Sequence, residues 1–235
     1  MKYLFFFLFP LFLWATEPFF ATFDPPKGWK ISDPSKYEKG VQIGFIESDK
    51  RIFTPSLTLT YEKVGNIDLK TYLNAARQNL GFQELGKIKT KSGEGVLIKV
   101  DLKKGFGEIC LLQAISIHQE TAIIHTASCL KEDFLKVHET LLNSFKSLTI
   151  YPNLISSCPN TSFKEKVEGM LKCWKKYSAT SNDSHQVLFA SPFFQTNQWK
   201  PFVNYVEKEL DSQGSCWQIL AIHYLKEILI MENNR

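Results

Sequence analysis

The sequence has no C-x-x-C pair and no two histidines within five residues, so the ligand spacings of a zinc site are missing and no metal is expected. It also lacks a glycine-rich phosphate loop, a serine nucleophile elbow and a paired-carboxylate signature, and no cofactor is expected. No apolar run reaches the ~20 residues that a helix needs to span a bilayer. A dominant charge is missing too. Lys and Arg number 28 against 24 Asp and Glu, a net +4 that no segment concentrates, so nucleic acid is not an expected partner. Internal repeats and low-complexity tracts are absent.

What is present is enough apolar material for a core, with 44% hydrophobic and 22% charged residues in a chain of 235. The N-terminus gives the clearest signal. Lys2 precedes the apolar run Tyr3–Trp14, broken only by Pro10, and small or polar residues follow at Ala15, Thr16 and Glu17. This is the layout of a secretory signal over residues 1–23, with cleavage after Ala15 or after Ala21, or of an uncleaved anchor that would be the only membrane contact. An exported chain meets an oxidising compartment. Its five cysteines, at 110, 129, 158, 173 and 216, then leave at least one thiol free or intermolecular.

From Gly28 to Leu148 the apolar period switches between two and 3.6. Val41, Ile43 and Phe45, then Leu57, Leu59 and Tyr61, then Val96, Ile98, Val100 and Leu102 alternate with polar or small residues and predict half-buried strands. Asp68 caps a helix over 68–80 with Leu69, Tyr72, Leu73, Ala76 and Leu80 on one stripe, and Gly81 is expected to supply a left-handed stop. Phe106–Ile117 and Thr121–Ser128 read as a hairpin. Lys131–Lys146 reads as a second helix with Phe134, Val137, Leu141 and Phe145 inward.

Two prolines and a polar cluster between Tyr151 and Asn160 break the pattern and set an expected boundary between a domain at 24–150 and a helical region at 151–235. Beyond it Ser162 and Glu165 suggest a capping box, Trp199–Leu210 a shorter helix, and Ser215–Met231 a helix apolar on nearly every side. The expected fold is α+β, a mainly antiparallel sheet covered by helices and followed by a smaller helical region.

Gly28-Trp29-Lys30-Ile31, Pro55-Ser56-Leu57-Thr58-Leu59, Ser92-Gly93, Ile123-Ile124-His125-Thr126-Ala127-Ser128 and Ser144-Phe145 follow one another at spacings that resemble the PsbP-like superfamily over residues 28–148. That resemblance implies an α/β/α module of a kind that mostly binds or assembles rather than catalyses. It implies no catalytic residues, and the extension after Tyr151 lies outside it.

Several constellations bear on function. Cys110 and Cys129 would face each other if Gln119-Glu120 formed a two-residue loop, and a disulfide between them is expected if the pair falls at a non-hydrogen-bonded site. Lys87, Lys89 and Lys91, at a spacing of two, would project together as a patch for an anionic partner or as guards of an edge strand. Gly214-Ser215-Cys216-Trp217 opens a helix and looks like the nucleophile segment of papain-like cysteine proteases, since a helix N-terminus favours a thiolate. Gln213 and Leu210 depart from that pattern, and too little chain follows for its downstream histidine and asparagine. His125 and His138 are expected as satisfied histidines of the sheet–helix contact. The surplus apolar surface of the last helix, with Leu225, Ile228 and Leu229, is expected to meet the first domain, another copy or a partner.

The sequence therefore predicts an exported binding or assembly protein, periplasmic, envelope-associated or secreted, that is not an enzyme and whose partner is a protein. The alternatives are a cysteine hydrolase with Cys216 as nucleophile and a secreted effector that binds a host protein.

Overall fold

The structure is a computed structural model and describes residues 19–48 and 53–231. The signal or anchor expected at the N-terminus lies, up to residue 18, outside the described residues. Strand β1, Phe20–Thr22, comes next, and it falls on the leader side of the expected boundary at 23/24. Strands β2 (Lys30–Ile31), β3 (Val41–Ile46) and β4 (Ser56–Lys63) lead into helix α1, Leu69–Asn79. Strands β5 (Gln83–Thr90), β6 (Gly93–Lys104), β7 (Gly107–His118) and β8 (Thr121–Leu130) precede helix α2, Phe134–Lys146, and strand β9, Thr149–Tyr151. The chain ends in α3 (Leu154–Ser157), α4 (Thr161–Ser178), α5 (His185–Ala190), α6 (Pro192–Phe194), a π turn over Gln195–Trp199, α7 (Lys200–Glu209) and α8, Ser215–Met231.

Seven strands form one antiparallel sheet in the order β2-β3-β4-β8-β7-β6-β5, as the hairpin-rich pattern predicts. Successive strand residues point to opposite faces, so Ile98 meets Leu73 of α1 on one face while Leu97 belongs to the core on the other. That second face carries Phe45, Leu57, Leu59, Leu112 and Ile123 and is covered by Leu141 and Phe145 of α2. Its cluster of buried side chains continues without interruption into Phe163, Trp174, Trp217, Leu225 and Leu229 of the C-terminal helices. The regions expected as 24–150 and 151–235 therefore share one core.

β1 pairs with β9, and Ala21 (0% exposed) and Phe23 (2%) are core residues. Further bonds tie this segment in: the Asp24 amide donates to the Ser147 hydroxyl at 2.7 Å, and the Ile150 amide to that of Ser92 at 2.7 Å. On α8, Gln218 is buried because its side-chain amide donates to the carbonyls of Val206 (2.9 Å) and Glu207 (3.1 Å) near the end of α7. The Val206 carbonyl also accepts from the Leu210 amide at 3.3 Å, so the glutamine adds a second donor at the end of α7 and fixes the packing of α8 on it.

Two local expectations change and a third narrows to one of its alternatives. Gly81 does not stop α1 in a left-handed conformation; Leu80 is the C-cap, with extended backbone. The fourth helix is capped by Asn160, whose carboxamide oxygen accepts from the Phe163 amide at 2.9 Å, and not by Ser162. The last helix gives its apolar surface to its own chain: Leu225 and Leu229 are 0% exposed and Ile228 packs against the same core. The expected docking surface at Leu225, Ile228 and Leu229 is thus interior, because α8 lies among α3, α5 and α7.

Candidate functional site

Where β1, one end of the sheet and α8 converge, they enclose a recess of about 700 Å³. Its aromatic wall is built by contacts across elements distant in sequence. Phe19 packs against Tyr61 of β4 at 5.1 Å between ring centres and edge-on against His118 of the β7–β8 hairpin at 4.8 Å. Phe20 meets Tyr224 of α8 edge-on at 4.7 Å. Tyr61 is held by the Ala21 amide, which donates to its hydroxyl, and burial pushes its phenol pKa up, so the group stays neutral.

Local backbone brings Tyr61 to this place. The Tyr61 amide donates to the Gly40 carbonyl at 2.9 Å, while a Cβ at Gly40 would stand 2.6 Å from the Tyr61 carbonyl oxygen. Gly40 also has φ of +90°, so glycine is required there twice over. Polar groups at the rim are Gln42, Lys63, Gln119, Thr121, His223 and Glu227. Burial lowers the His223 pKa, Lys226 lowers it further and Glu227 opposes both, which leaves the imidazole neutral at pH 7. With neutral His223, one lysine and one glutamate, the rim carries balanced charge.

Neither the recess nor Phe19 and Phe20 figures among the residues singled out from the sequence. The leader pattern absorbs both phenylalanines, and Tyr61 reads as one more inward strand residue. The residues that were singled out lie elsewhere. Cys110 and Cys129 are directly opposite on β7 and β8, both buried and both free thiols in the structure, so the expected disulfide is not formed there. His118 pairs with Thr121 across the two-residue turn, and Cys110–Cys129 lies an even number of positions along an unbroken ladder. It therefore occupies the hydrogen-bonded class of site, not the closer non-hydrogen-bonded class. Gln119 takes φ of +55° to close this turn.

Lys87 and Lys89 project from β5, and Lys91 follows in the turn after it; all three are exposed. Cys216 is 1% exposed, and its thiol pKa is pushed up to about 12 by burial, which a hydrogen bond from the Phe23 backbone only partly offsets. Desolvation overrides the helix terminus, so the thiol is protonated at neutral pH. His125 is fully buried between Phe23 (4.1 Å) and Phe145 (4.6 Å), and neither ring nitrogen has a hydrogen-bond partner among the described residues. The expected satisfied core histidine is thus a core histidine without satisfaction. His138 is half-buried on α2, its Nδ1 2.9 Å from the Leu135 carbonyl.

The sequence matches no protein-family model and no curated protein. Solved structures similar to it include LpqN, involved in cell envelope biogenesis of Mycobacterium tuberculosis, at 14% identity over 60% of this chain and 88% of that one, with a TM-score of 0.45. Cyanobacterial PsbP from Synechocystis is similar at 13% identity over 61% of this chain and 99% of that one, TM-score 0.40. The Saccharomyces cerevisiae Ran-binding protein Mog1p is similar at 11% identity over 55% and 89%, TM-score 0.37. The likeness is one of fold and assigns no activity.

Proposed function

We propose that this protein is an exported, non-catalytic binding or assembly protein of the envelope or extracellular space, and that it takes a partner protein through the recess. The observation that carries this reading is the recess itself. Its size lies within the ~300–1,000 Å³ usual for binding sites, its wall is aromatic, and its polar groups sit at the rim. Balanced rim charge favours a neutral aromatic or aliphatic side chain of the partner over a phosphorylated or strongly anionic ligand. The hydrolase reading loses its physical basis, because Cys216 is inaccessible and protonated. Export would add an oxidising environment, and there the directly opposed Cys110 and Cys129, free thiols in the structure, would be the pair placed to close.

Calorimetric titration with N-acetyl-tryptophanamide, a neutral aromatic side chain carried on a blocked residue, tests the site. Saturable binding that is lost in Tyr224→Ala supports the proposal. Equal binding by wild type and variant contradicts it.

A further inference from the structure

The opposite edge of the sheet carries a second surface. β5 is its terminal strand, so one side of its backbone has no strand partner among the described residues. The pairing of β5 with β6 shifts register between Glu84 and Gly86, where Gly86 has φ of +123°, so the regular edge runs from Lys87 to Thr90. The Lys91 amide donates to the Lys146 carbonyl at 3.1 Å and ties this end of the strand to the C-terminus of α2. Between strand and helix lies a groove of about 570 Å³ with an apolar floor of Ile88, Leu97 and Leu142.

The two sides of the edge differ in chemistry. Lys87 and Lys89 stand opposite Val96 and Glu94 of β6, and Ile88 stands opposite Gly95, so the lysines point away from the groove floor that Ile88 helps to form. Lys87 is engaged by Glu94 at 3.1 Å and Lys91 by Asp24 at 3.2 Å, both exposed pairs of small worth. Lys89 and Lys146 have no carboxylate partner among the described residues.

We infer that this edge accepts an extended segment of a partner protein, added as an eighth strand, whose side chains alternate between acidic and apolar. The acidic side chains would meet Lys87 and Lys89, the apolar ones would lie on Ile88, Leu97 and Leu142, and the backbone would pair with residues 87–90. Charge selects this occupant. A second copy of the same edge would set lysines against lysines, which is how edge strands avoid self-association. The inference is independent of the aromatic recess, since the two surfaces share no residue.

The test is fluorescence anisotropy with the full chain and a labelled Ac-Glu-Val-Glu-Val-Glu-NH2 peptide at low salt. Expected are saturable binding, a loss of about tenfold or more when salt is raised to screen exposed charges, and a comparable loss in Lys87→Glu combined with Lys89→Glu. Both lysines are on the surface, and circular dichroism of the double variant establishes that it is folded. A backbone N-methylated version of the peptide, which needs no protein variant, should not bind, and Tyr224→Ala should leave binding unchanged. Equal binding of the N-methylated peptide, of Ac-Lys-Val-Lys-Val-Lys-NH2, or by the folded double variant would overturn the inference. So would failure to bind the acidic peptide while phosphatidylglycerol vesicles capture the protein through the same lysines.

Discussion

Cys129 stands directly opposite Cys110 across the β7–β8 hairpin, and the two thiols share a hydrogen bond that favours ionisation of Cys110 and opposes that of Cys129. The Cys129 hydrogen bond and the nearby Lys99 and Lys131 hold the Cys110 pKa below the ordinary thiol range, against burial and Asp101. When an external disulfide oxidises the pair, Cys110 is therefore the thiol that attacks it, displacing one thiol of the oxidant, and Cys129 then displaces the other to close the Cys110–Cys129 bond. At a hydrogen-bonded site the Cα atoms are ~5.5 Å apart, within the usual span of a disulfide. Non-reducing peptide mapping of native exported protein should link the Cys110 and Cys129 peptides. Free alkylation of Cys110 after denaturation without reductant would contradict it.

If the proposed leader is cleaved and not kept as an anchor, the mature N-terminus is expected at Thr16. Cleavage after Ala21 would remove Phe19 and Phe20 from the recess wall and cut β1, in which Ala21 is paired with Ile150 and fully buried. Intact-mass measurement of the native protein decides between the two sites and the uncleaved chain, and an intact soluble species beginning at Met1 would contradict export. A folded protein beginning at Thr22 would show that β1 is dispensable.

Stability should fall with acid because of His125. Burial pushes its pKa down to about 3, and Phe23 and Phe145 flank the ring without offering it a charge or an acceptor. The neutral imidazole is the folded form, so its contribution is complete above the unfolded pKa of ~6.5 and is lost as pH drops from there toward 3. Between pH ~6.5 and ~5 the cost is about 2 kcal/mol. Urea unfolding of wild type and His125→Leu at both values checks this. His223 is also depressed and remains in both proteins, so the difference isolates His125. An identical pH slope in the variant would remove the assignment.

How far the fold can be read from the sequence depends on where each signal is local. The span of α8, Ser215–Met231, and the register that sets Cys110 against Cys129 are both legible, because helix periodicity and a two-residue turn are determined within the segments themselves. The capping of α4 is missed by two residues because Asn160 and Ser162 both offer capping side chains, and Pro159 precedes the one that is used. The failures at the candidate site have another cause. Phe19 and Phe20 follow an apolar leader and carry its composition, yet they are wall residues because β1 returns to pair with β9, a contact between opposite ends of the sheet domain. The surplus apolar face of α8 is legible as a face needing cover. That its own chain supplies the cover depends on tertiary packing that no local pattern encodes.

The recess is tested most directly by recording two-dimensional NMR spectra of the full chain during titration with N-acetyl-tryptophanamide. The account predicts saturable shifts confined to the rings and amides of Phe19, Phe20, Tyr61, His223 and Tyr224, and their disappearance in Tyr224→Ala. Shifts that centre instead on the exposed Val187 and Phe193, or that persist unchanged in the variant, would contradict it.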